Sequence, residues 1–223
     1  MTKKIPPESG DFLAPDRFAK YLAKTGGNRE EAMRLYAWNT AVSAAFYAPL
    51  QALEITLRNQ VHKHLTEKYG IQWYKSSNIN FREEHRQQVK NAEDREKGEL
   101  PSAPPSNVVA YLAFGFWVVL LSKHYDESLW RPALYKAFPY TSGTKRYDVH
   151  RRFEDLREFR NRIAHHRPIF NVGENKGKNL SDFYQEILEA INWMSPKKRE
   201  WVETHSRIKE VLAQSPNDPN IRF

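Results

Sequence analysis

Hydrophobic residues recur at helical spacing along most of this 223-residue chain. Apolar side chains three, four and seven positions apart share one face of an α-helix, which predicts amphipathic helices around a core. Pro15 and Asp16 begin one helix, Gly26 and Gly27 end it, and Asn28 caps the next. No useful length of chain alternates with the period of two that indicates a strand. The pattern predicts an all-α bundle of about seven or eight helices.

Two interruptions divide the helical pattern in the first half of the chain. We expect Pro49 to kink or end the helix that Asn28 opens, because proline lacks an N–H and clashes with the preceding turn. A second helix should then run over residues 50–69. A charged helix over residues 81–97 precedes the clearest loop, residues 98–106, which contains three prolines.

The most apolar part of the chain follows this loop. Ser106 is expected to cap a helix that reaches Leu121, and Ser128 to cap another that reaches Phe138. The longest apolar run has 14 residues, whereas a bilayer-spanning helix needs about 20. This run therefore predicts a core helix. Two further helices are expected near the end, the second beginning at Pro196.

Composition narrows the class of protein. The chain has no cysteine, which excludes disulfides, thiolate metal sites and cysteine nucleophiles and suits a reducing cytosol. Its first ten residues lack the apolar stretch of a signal peptide. We therefore expect a cytoplasmic protein without a membrane partner. Residues 1–213 are predicted to form a single domain, followed by a loosely ordered tail over residues 214–223.

Positive charge is concentrated in one predicted helix. The chain carries a net charge of +8, and residues 145–167 contain eight Lys/Arg against four Asp/Glu. Such a segment favours a polyanionic partner such as RNA, but it is equally typical of a solvated helical face. If RNA is the partner, the arginines expected to bind it are Arg152, Arg157, Arg162 and Arg167.

An arginine interrupts the apolar face of this basic helix. Val149, Phe153, Leu156 and Ile163 define the face, and at about 100° per residue Arg160 falls near its centre. A guanidinium there is costly unless it is paired or solvated in a cleft. Arg160 is therefore a structural bridge between helices, a residue whose stem lies against the core while its head reaches water, or a functional group.

The helix over residues 50–69 has a similar irregularity. Glu54 falls within its apolar arc and Arg58 lies at the edge, four positions on. The two form an ordinary helix-stabilising pair, or Glu54 reaches Arg160 and fixes its orientation. In the second case the carboxylate supports the site without acting in catalysis.

Polar groups are clustered where the basic helix should end. Pro168 disfavours a helical conformation of the preceding residue, so the helix should end near His165 or His166. Arg160 and Asn161 lie within the same seven residues. An imidazole can transfer the protons of RNA cleavage, and a guanidinium can stabilise charge on the phosphoryl oxygens.

The spacing within this cluster constrains the site. On a regular helix, positions 160 and 165 point about 140° apart. Either the chain bends after Ile163, or two subunits contribute to one site. Elsewhere, His62 and His64 could suggest a metal site, but positions i and i+2 do not share a helix face. We predict no metal ligands and no cofactor.

Several segments carry a resemblance to a known family. The pattern Arg160–Asn161–x–x–x–His165 resembles the signature of HEPN ribonucleases, and a series of blocks in order resembles bacterial Abi-like (abortive infection) proteins. The blocks cover residues 34–39, 46–50, 53–59, 114–117, 129–130, 138–139 and 156–170. This resemblance implies a HEPN-type helical bundle with additional family-specific helices.

The resemblance also implies an activity and a site. The activity is metal-independent endoribonuclease cleavage that leaves a 2′,3′-cyclic phosphate, in a toxin or phage-defence effector that an antitoxin, RNA or protein, would neutralise. The site lies at the two-fold interface of a homodimer. Arg160 and His165 are catalytic and Asn161 orients them, while the supporting residues are Glu54, Arg58 and His166.

One departure and two alternatives accompany this interpretation. Arg167 stands where many relatives have an acidic residue, which strengthens phosphate binding or alters the role of His166. The main alternative is a non-catalytic helical dimer that binds RNA or a protein partner. The other is a scaffold in which Arg160 and Glu54 form a buried ion pair.

Overall fold

Helices are the regular secondary structure of this protein, as the sequence predicts. The computed structural model describes residues 14–99 and 105–223, and within these ranges no strand is present. The α-helices of this part are α1 (Pro15–Lys24), α2 (Arg29–Tyr69), α3 (Glu83–Glu99), α4 (Phe114–Val119), α5 (Arg146–Ala164), α6 (Leu180–Met194), α7 (Pro196–His205) and α8 (Ile208–Leu212). Short 3-10 helices and one π-helical turn connect them. The all-α prediction is confirmed.

Contacts within the chain divide it into two compact units. Unit 1 comprises residues 14–50, Arg160–Gln185 and His205–Phe223 of the described chain, and unit 2 comprises the described parts of Gln51–Phe159 and Glu186–Thr204. Each unit has its own buried apolar residues. The prediction of one domain over residues 1–213 stays a prediction.

The start of α2 shows how the sequence sets a helix end. The Asn28 side-chain Oδ1 accepts the backbone N–H groups of Glu30 at 3.1 Å and Glu31 at 3.2 Å. These are donors that the first turn of a helix leaves without an intrahelical acceptor. The predicted cap is therefore confirmed.

Pro49 does not end α2, which is continuous from Arg29 to Tyr69. The prediction of a separate helix beginning at residue 50 is wrong. A proline removes only the hydrogen bond to the carbonyl four residues earlier. Phe46 and Leu53, on either side of Pro49, are fully buried. Packing of the flanking turns therefore outweighs the loss of one bond.

The apolar segment after the loop is not one helix. A 3-10 helix over Pro105–Tyr111 is followed by the short α4, so the single helix predicted to reach Leu121 is wrong. At the break, the Trp117 indole N–H donates to the Leu112 carbonyl at 3.1 Å, which satisfies a group that a continuous helix would bond internally. Residues 100–104 of the predicted loop and the capping side chain of Ser106 lie outside the described residues.

The helix predicted to run from Ser128 to Phe138 is also wrong. The chain forms a π-helical turn over Asp126–Trp130 and a 3-10 helix over Leu134–Ala137. In an α-helix the Ser128 carbonyl would accept the N–H of residue 132, which is a proline and has none. The Tyr69 hydroxyl donates to this carbonyl instead. A tertiary contact thus replaces the missing helical bond.

The C-terminal helices extend the prediction by one element. α7 begins at Pro196 as expected, and the Ser195 hydroxyl accepts the Lys198 N–H at 3.3 Å. α8 was not predicted, and its Ile208 and Val211 are buried. In unit 1, the first residue of the predicted tail, Gln214, accepts the Trp38 indole N–H through its carbonyl at 2.9 Å.

Acid should weaken unit 2 through a buried histidine. His85 is buried, and its Nδ1 lies 2.6 Å from the Tyr125 hydroxyl. Burial lowers the pKa of His85, although the nearby Glu84 carboxylate partly opposes the shift. The unfolded chain, with an ordinary histidine pKa of about 6.5, therefore takes up this proton more readily than the folded chain.

We expect the free energy of unfolding to be highest above pH about 6.5 and to fall as the pH drops through the lowered pKa. Urea unfolding of the wild type and of His85→Gln at several pH values would measure this. The variant should lose part of the pH dependence. An equal dependence in both proteins would contradict the assignment.

Candidate functional site

The residues of the Arg160–His165 pattern lie together in unit 1, at the C-terminal end of α5. The helix ends at Ala164, and the His165 N–H still donates to the Asn161 carbonyl at 2.9 Å. This is the regular i to i−4 bond of an α-helix. The predicted helix end near His165 or His166 is therefore confirmed.

The turn after α5 has a specific geometry. The His166 N–H donates to the Ile163 carbonyl, and the Arg167 N–H donates to the Arg162 carbonyl, each at 2.9 Å. These bonds form a Schellman motif, in which one residue takes the left-handed conformation that glycine usually supplies. Here that residue is His166, at φ 54°, and no other non-glycine residue described by the structure has a positive φ.

The segment beyond the turn is fixed to the body of unit 1. The Arg162 Nε donates to the Pro168 carbonyl at 2.7 Å, and Pro168 and Ile169 are buried. The Ile169 N–H donates to the side-chain Oδ1 of Asn39 at 2.7 Å, and Asn39 is itself buried. Hydrogen bonds and buried side chains thus hold both sides of the turn that carries His165 and His166.

Asn39 is a site-positioning residue that sequence reasoning missed. It lies on the buried face of α2 with Leu35, Trp38 and Val42. An amide at a position where the helical pattern calls for carbon was the available signal, because a buried polar group requires a partner. Its partner, the Ile169 N–H, lies 130 residues away in sequence.

The chemically active side chains differ in exposure. Arg160 and Asn161 are half-buried, and the Arg160 Nη1 donates to the Asn161 Oδ1 at a long 3.5 Å. His165 and His166 are exposed. Phe159, rather than Arg160, is the buried residue at this level of α5. The helix end therefore presents a half-buried guanidinium and exposed imidazoles.

Glu54 and Arg58, the predicted supporting pair, are half-buried residues of α2 in unit 2. The Arg58 Nε donates to the Asn59 Oδ1 at 3.5 Å. Arg58 also contributes, after burial, to lowering the pKa of His62. The role of Glu54 as a support for Arg160 stays a prediction.

The arginines predicted to bind RNA differ in their surroundings. Within unit 2, Arg152 donates to the Glu189 carboxylate at 2.6 Å, and Arg157 forms a two-pronged ion pair with Glu154. The hydrogen bonds from Arg157 lower the pKa of Glu154. In unit 1, Arg162 bonds to a backbone carbonyl as described above. Arg167 is exposed.

His62 and His64 have separate partners. The Trp73 indole N–H donates to the His62 Nδ1 at 3.0 Å, and the His64 Nδ1 lies 2.9 Å from the Glu67 carboxylate. Across residues 14–99 and 105–223, no three or more His, Asp or Glu side chains form a group that could hold a metal ion. None of the helices in the described part of the chain combines the length and apolar character needed to cross a bilayer.

Glycine at position 166 should stabilise the protein. A left-handed residue with a Cβ costs about 1 kcal/mol, and His166→Gly removes this cost without removing the backbone bonds of the turn. We expect the free energy of unfolding to rise by about 0.5–1 kcal/mol, measured by urea unfolding. Alanine at the same position retains the Cβ and is the matched control. A loss of stability in His166→Gly would show that the imidazole contributes more than its conformation costs.

Comparison with known proteins identifies the family. No curated protein and no solved structure matches the chain. The family model described as Abi-like protein matches residues 11–171, which is more than half of the chain. The chain therefore belongs to the Abi-like family, which connects it at a general level with abortive infection and phage defence.

Proposed function

We propose that this Abi-like protein is a metal-independent endoribonuclease that acts as a toxin or phage-defence effector. The observation that carries the proposal is the helix end of unit 1, where Arg160, Asn161 and an exposed His165 lie within six residues on a fixed turn. These are the groups that RNA cleavage needs without help from a metal.

The proposed reaction is an internal transfer within the RNA. The 2′-oxygen attacks the adjacent phosphorus as its proton is removed, the bond from phosphorus to the 5′-oxygen breaks, and the leaving oxygen takes up a proton. The products are a 2′,3′-cyclic phosphate and a 5′-hydroxyl. His165 transfers one of these protons. Arg160 stabilises the charge that builds up on the phosphoryl oxygens.

Asn161 is suited to orient both groups. Its side-chain Oδ1 accepts from the Arg160 guanidinium, and its backbone carbonyl accepts the His165 N–H. A group that bonds to both partners limits their relative freedom, which is how positioning lowers a reaction barrier. In the same proposal, Glu54 and Arg58 support Arg160 from α2, and His166 shapes the turn.

The geometry of the helix end favours a site built by two copies of the chain. Because α5 is regular through the bond from His165 to Asn161, positions 160 and 165 point about 140° apart. The left-handed residue comes only at His166, one position too late to turn His165 towards Arg160. Across a two-fold interface, Arg160 of one protomer can meet His165 of its partner.

RNA contacts outside the reacting atoms fall to the arginines of α5 and the turn. Arg167 is exposed and follows His166 directly, so it is placed to bind a flanking phosphate. Arg152, Arg157 and Arg162 bond within the protein. They would bind RNA through the donors that these bonds leave available, since a guanidinium has five.

Cleavage of single-stranded RNA in EDTA tests the proposal. The wild type should cut such RNA and leave cyclic phosphate ends, which resist direct ligation until they are opened. Single-stranded or looped RNA is the expected substrate because its backbone can reach the in-line geometry. A requirement for added Mg²⁺ would overturn the proposal. RNA binding without cleavage by the dimer would instead establish the non-catalytic binding function.

A further inference from the structure

Exposed aromatic side chains are concentrated in one part of unit 2. They occur in residues 131–152 and in α7, and three have a cation over the ring. The members and their exposed fractions are Tyr135 at 52%, Tyr140 at 55%, Tyr147 at 60% and Trp201 at 52%. Large apolar side chains are normally buried, so such a group of exposed rings indicates a binding surface. We refer to these four residues as the aromatic surface.

The cations of this surface lie against the rings. The Lys198 Nζ is 4.3 Å from the centroid of the Trp201 ring, and the Arg151 guanidinium is 5.5 Å from that of Tyr147. The Lys136 Nζ is 5.9 Å from the Tyr135 centroid. Each pair combines a flat π face with a positive charge, which a nucleotide contacts through its base and its phosphate.

Hydrogen bonds bring the separate segments together around Trp193. The Tyr140 N–H donates to the Trp193 carbonyl at 3.2 Å. The Arg152 guanidinium lies over the Trp193 ring at 5.5 Å, and Arg152 follows Arg151 directly on α5. α7 begins at Pro196, three residues after Trp193. The loop with Tyr140, the first turns of α5 and the start of α7 are therefore neighbours within unit 2.

The charge of these segments indicates the kind of partner. Residues 131–152 and α7 together contain nine Lys/Arg against three Asp/Glu, a net charge of +6, whereas the whole chain carries +8. Some of these cations are paired, as Arg152 is with Glu189. Lys136, Lys145 and Lys197 are exposed. Most of the excess positive charge of the protein therefore lies around the aromatic surface.

We propose that the aromatic surface of unit 2 binds single-stranded RNA by stacking bases on Tyr147, Trp201 and Tyr140 while the neighbouring lysines and Arg151 contact phosphates. The proposal rests on the proposed function in that the same RNA is the substrate. None of these residues belongs to the Arg160–His165 pattern, so the surface adds a second set of RNA contacts.

Single-stranded RNA fits these features better than a duplex or a protein. A duplex stacks its bases internally, so exposed rings gain little from it. An interface with a protein would be expected to deplete lysine at its centre, whereas here lysines accompany the rings. Stacking on a ring and charge on the adjacent backbone are the two interactions that proteins combine to bind single strands.

Fluorescence anisotropy with a 2′-O-methyl oligonucleotide of about 16 nucleotides tests the proposal separately from cleavage. Without a 2′-hydroxyl this strand is not cut, so affinity is measured on the wild-type protein whatever its activity. Tyr147→Ala and Trp201→Ala should each weaken binding about tenfold, while Tyr147→Phe and Trp201→Phe retain the ring and most of the affinity. The matched control is Tyr47→Ala, because Tyr47 is an equally exposed tyrosine of unit 1, at 66%.

Salt and strandedness complete the test. Replacing Lys197 and Lys198 by alanine should reduce the slope of log affinity against log salt by about 0.7 for each phosphate that the protein no longer neutralises. The alanine variants of the rings should leave this slope unchanged and should affect a duplex of the same sequence less than the single strand. Equal weakening for both kinds of RNA, or an equal weakening in Tyr47→Ala, would overturn stacking at this surface.

The outcomes separate this proposal from the nuclease proposal. If the ring variants lose affinity for the uncleavable strand and the wild type cuts no RNA, the surface is established and the nuclease proposal fails. If the wild type cuts RNA and the ring variants bind the single strand like wild type, the nuclease proposal remains and the surface is overturned.

Discussion

Replacing His165 by alanine is expected to reduce RNA cleavage in EDTA by about 10²–10⁴-fold, because a positioned imidazole contributes that much to proton transfer. The loss should appear in the chemical step, with little change in RNA affinity or stability. His165 is exposed, and the bonds that end α5 come from its backbone, which alanine retains. Single-turnover cleavage, together with binding of uncleavable RNA and urea unfolding, would measure all three properties.

Arg160 provides the companion measurement. Arg160→Ala should also reduce cleavage, by about 10²–10³-fold for loss of a donor to the developing charge. Arg160→Lys should recover part of the rate, since it keeps the charge but not the planar fork. The control is His124→Ala, an exposed histidine outside the pattern whose Nε2 lies 3.1 Å from the Asn80 carbonyl. Cleavage by a folded His165→Ala at the wild-type rate would exclude the assigned role.

Helix ends that depend on local chemistry could be predicted from the sequence. Asn28 caps α2, Pro196 begins α7, and Pro168 places the end of α5, because each effect acts within a few residues. The exposed or half-buried state of the groups at the α5 end also agrees with a site open to substrate. These features need no knowledge of distant contacts.

Elements that depend on tertiary contacts could not be predicted in the same way. α2 continues through Pro49 because residues on both sides of it are buried, although the local rule predicts a break. The Ser128 carbonyl takes its hydrogen bond from Tyr69, 59 residues earlier in the chain. Local propensity gives no information about either partner, so the predicted helices from residues 50 and 128 were wrong.

The site was predicted in part for a related reason. The residue types at 160, 161 and 165 and their helix end could be read from the sequence. The left-handed conformation of His166 and the bond from Ile169 to Asn39 could not, because they depend on packing around the turn. A non-glycine residue held in this conformation beside a proposed catalytic histidine indicates that function, rather than stability alone, selects the residue.

Two mutant subunits that are inactive alone should restore activity when they form one dimer. If Arg160 of one protomer acts with His165 of its partner, an Arg160→Ala protomer paired with a His165→Ala protomer retains one complete site. We expect such a heterodimer, purified through two different tags, to cleave RNA at about half the wild-type rate per dimer. Each homodimer should remain inactive.

The converse heterodimer is the decisive control, because it contains the same groups in a different arrangement. Pairing a wild-type protomer with an Arg160→Ala/His165→Ala protomer places the remaining arginine and histidine on one chain. A site shared between protomers predicts no activity for this dimer, since neither interface then holds both groups. A site within one protomer predicts the opposite for both dimers. The regular helix up to His165 favours the shared site, because one α5 directs Arg160 and His165 to different sides.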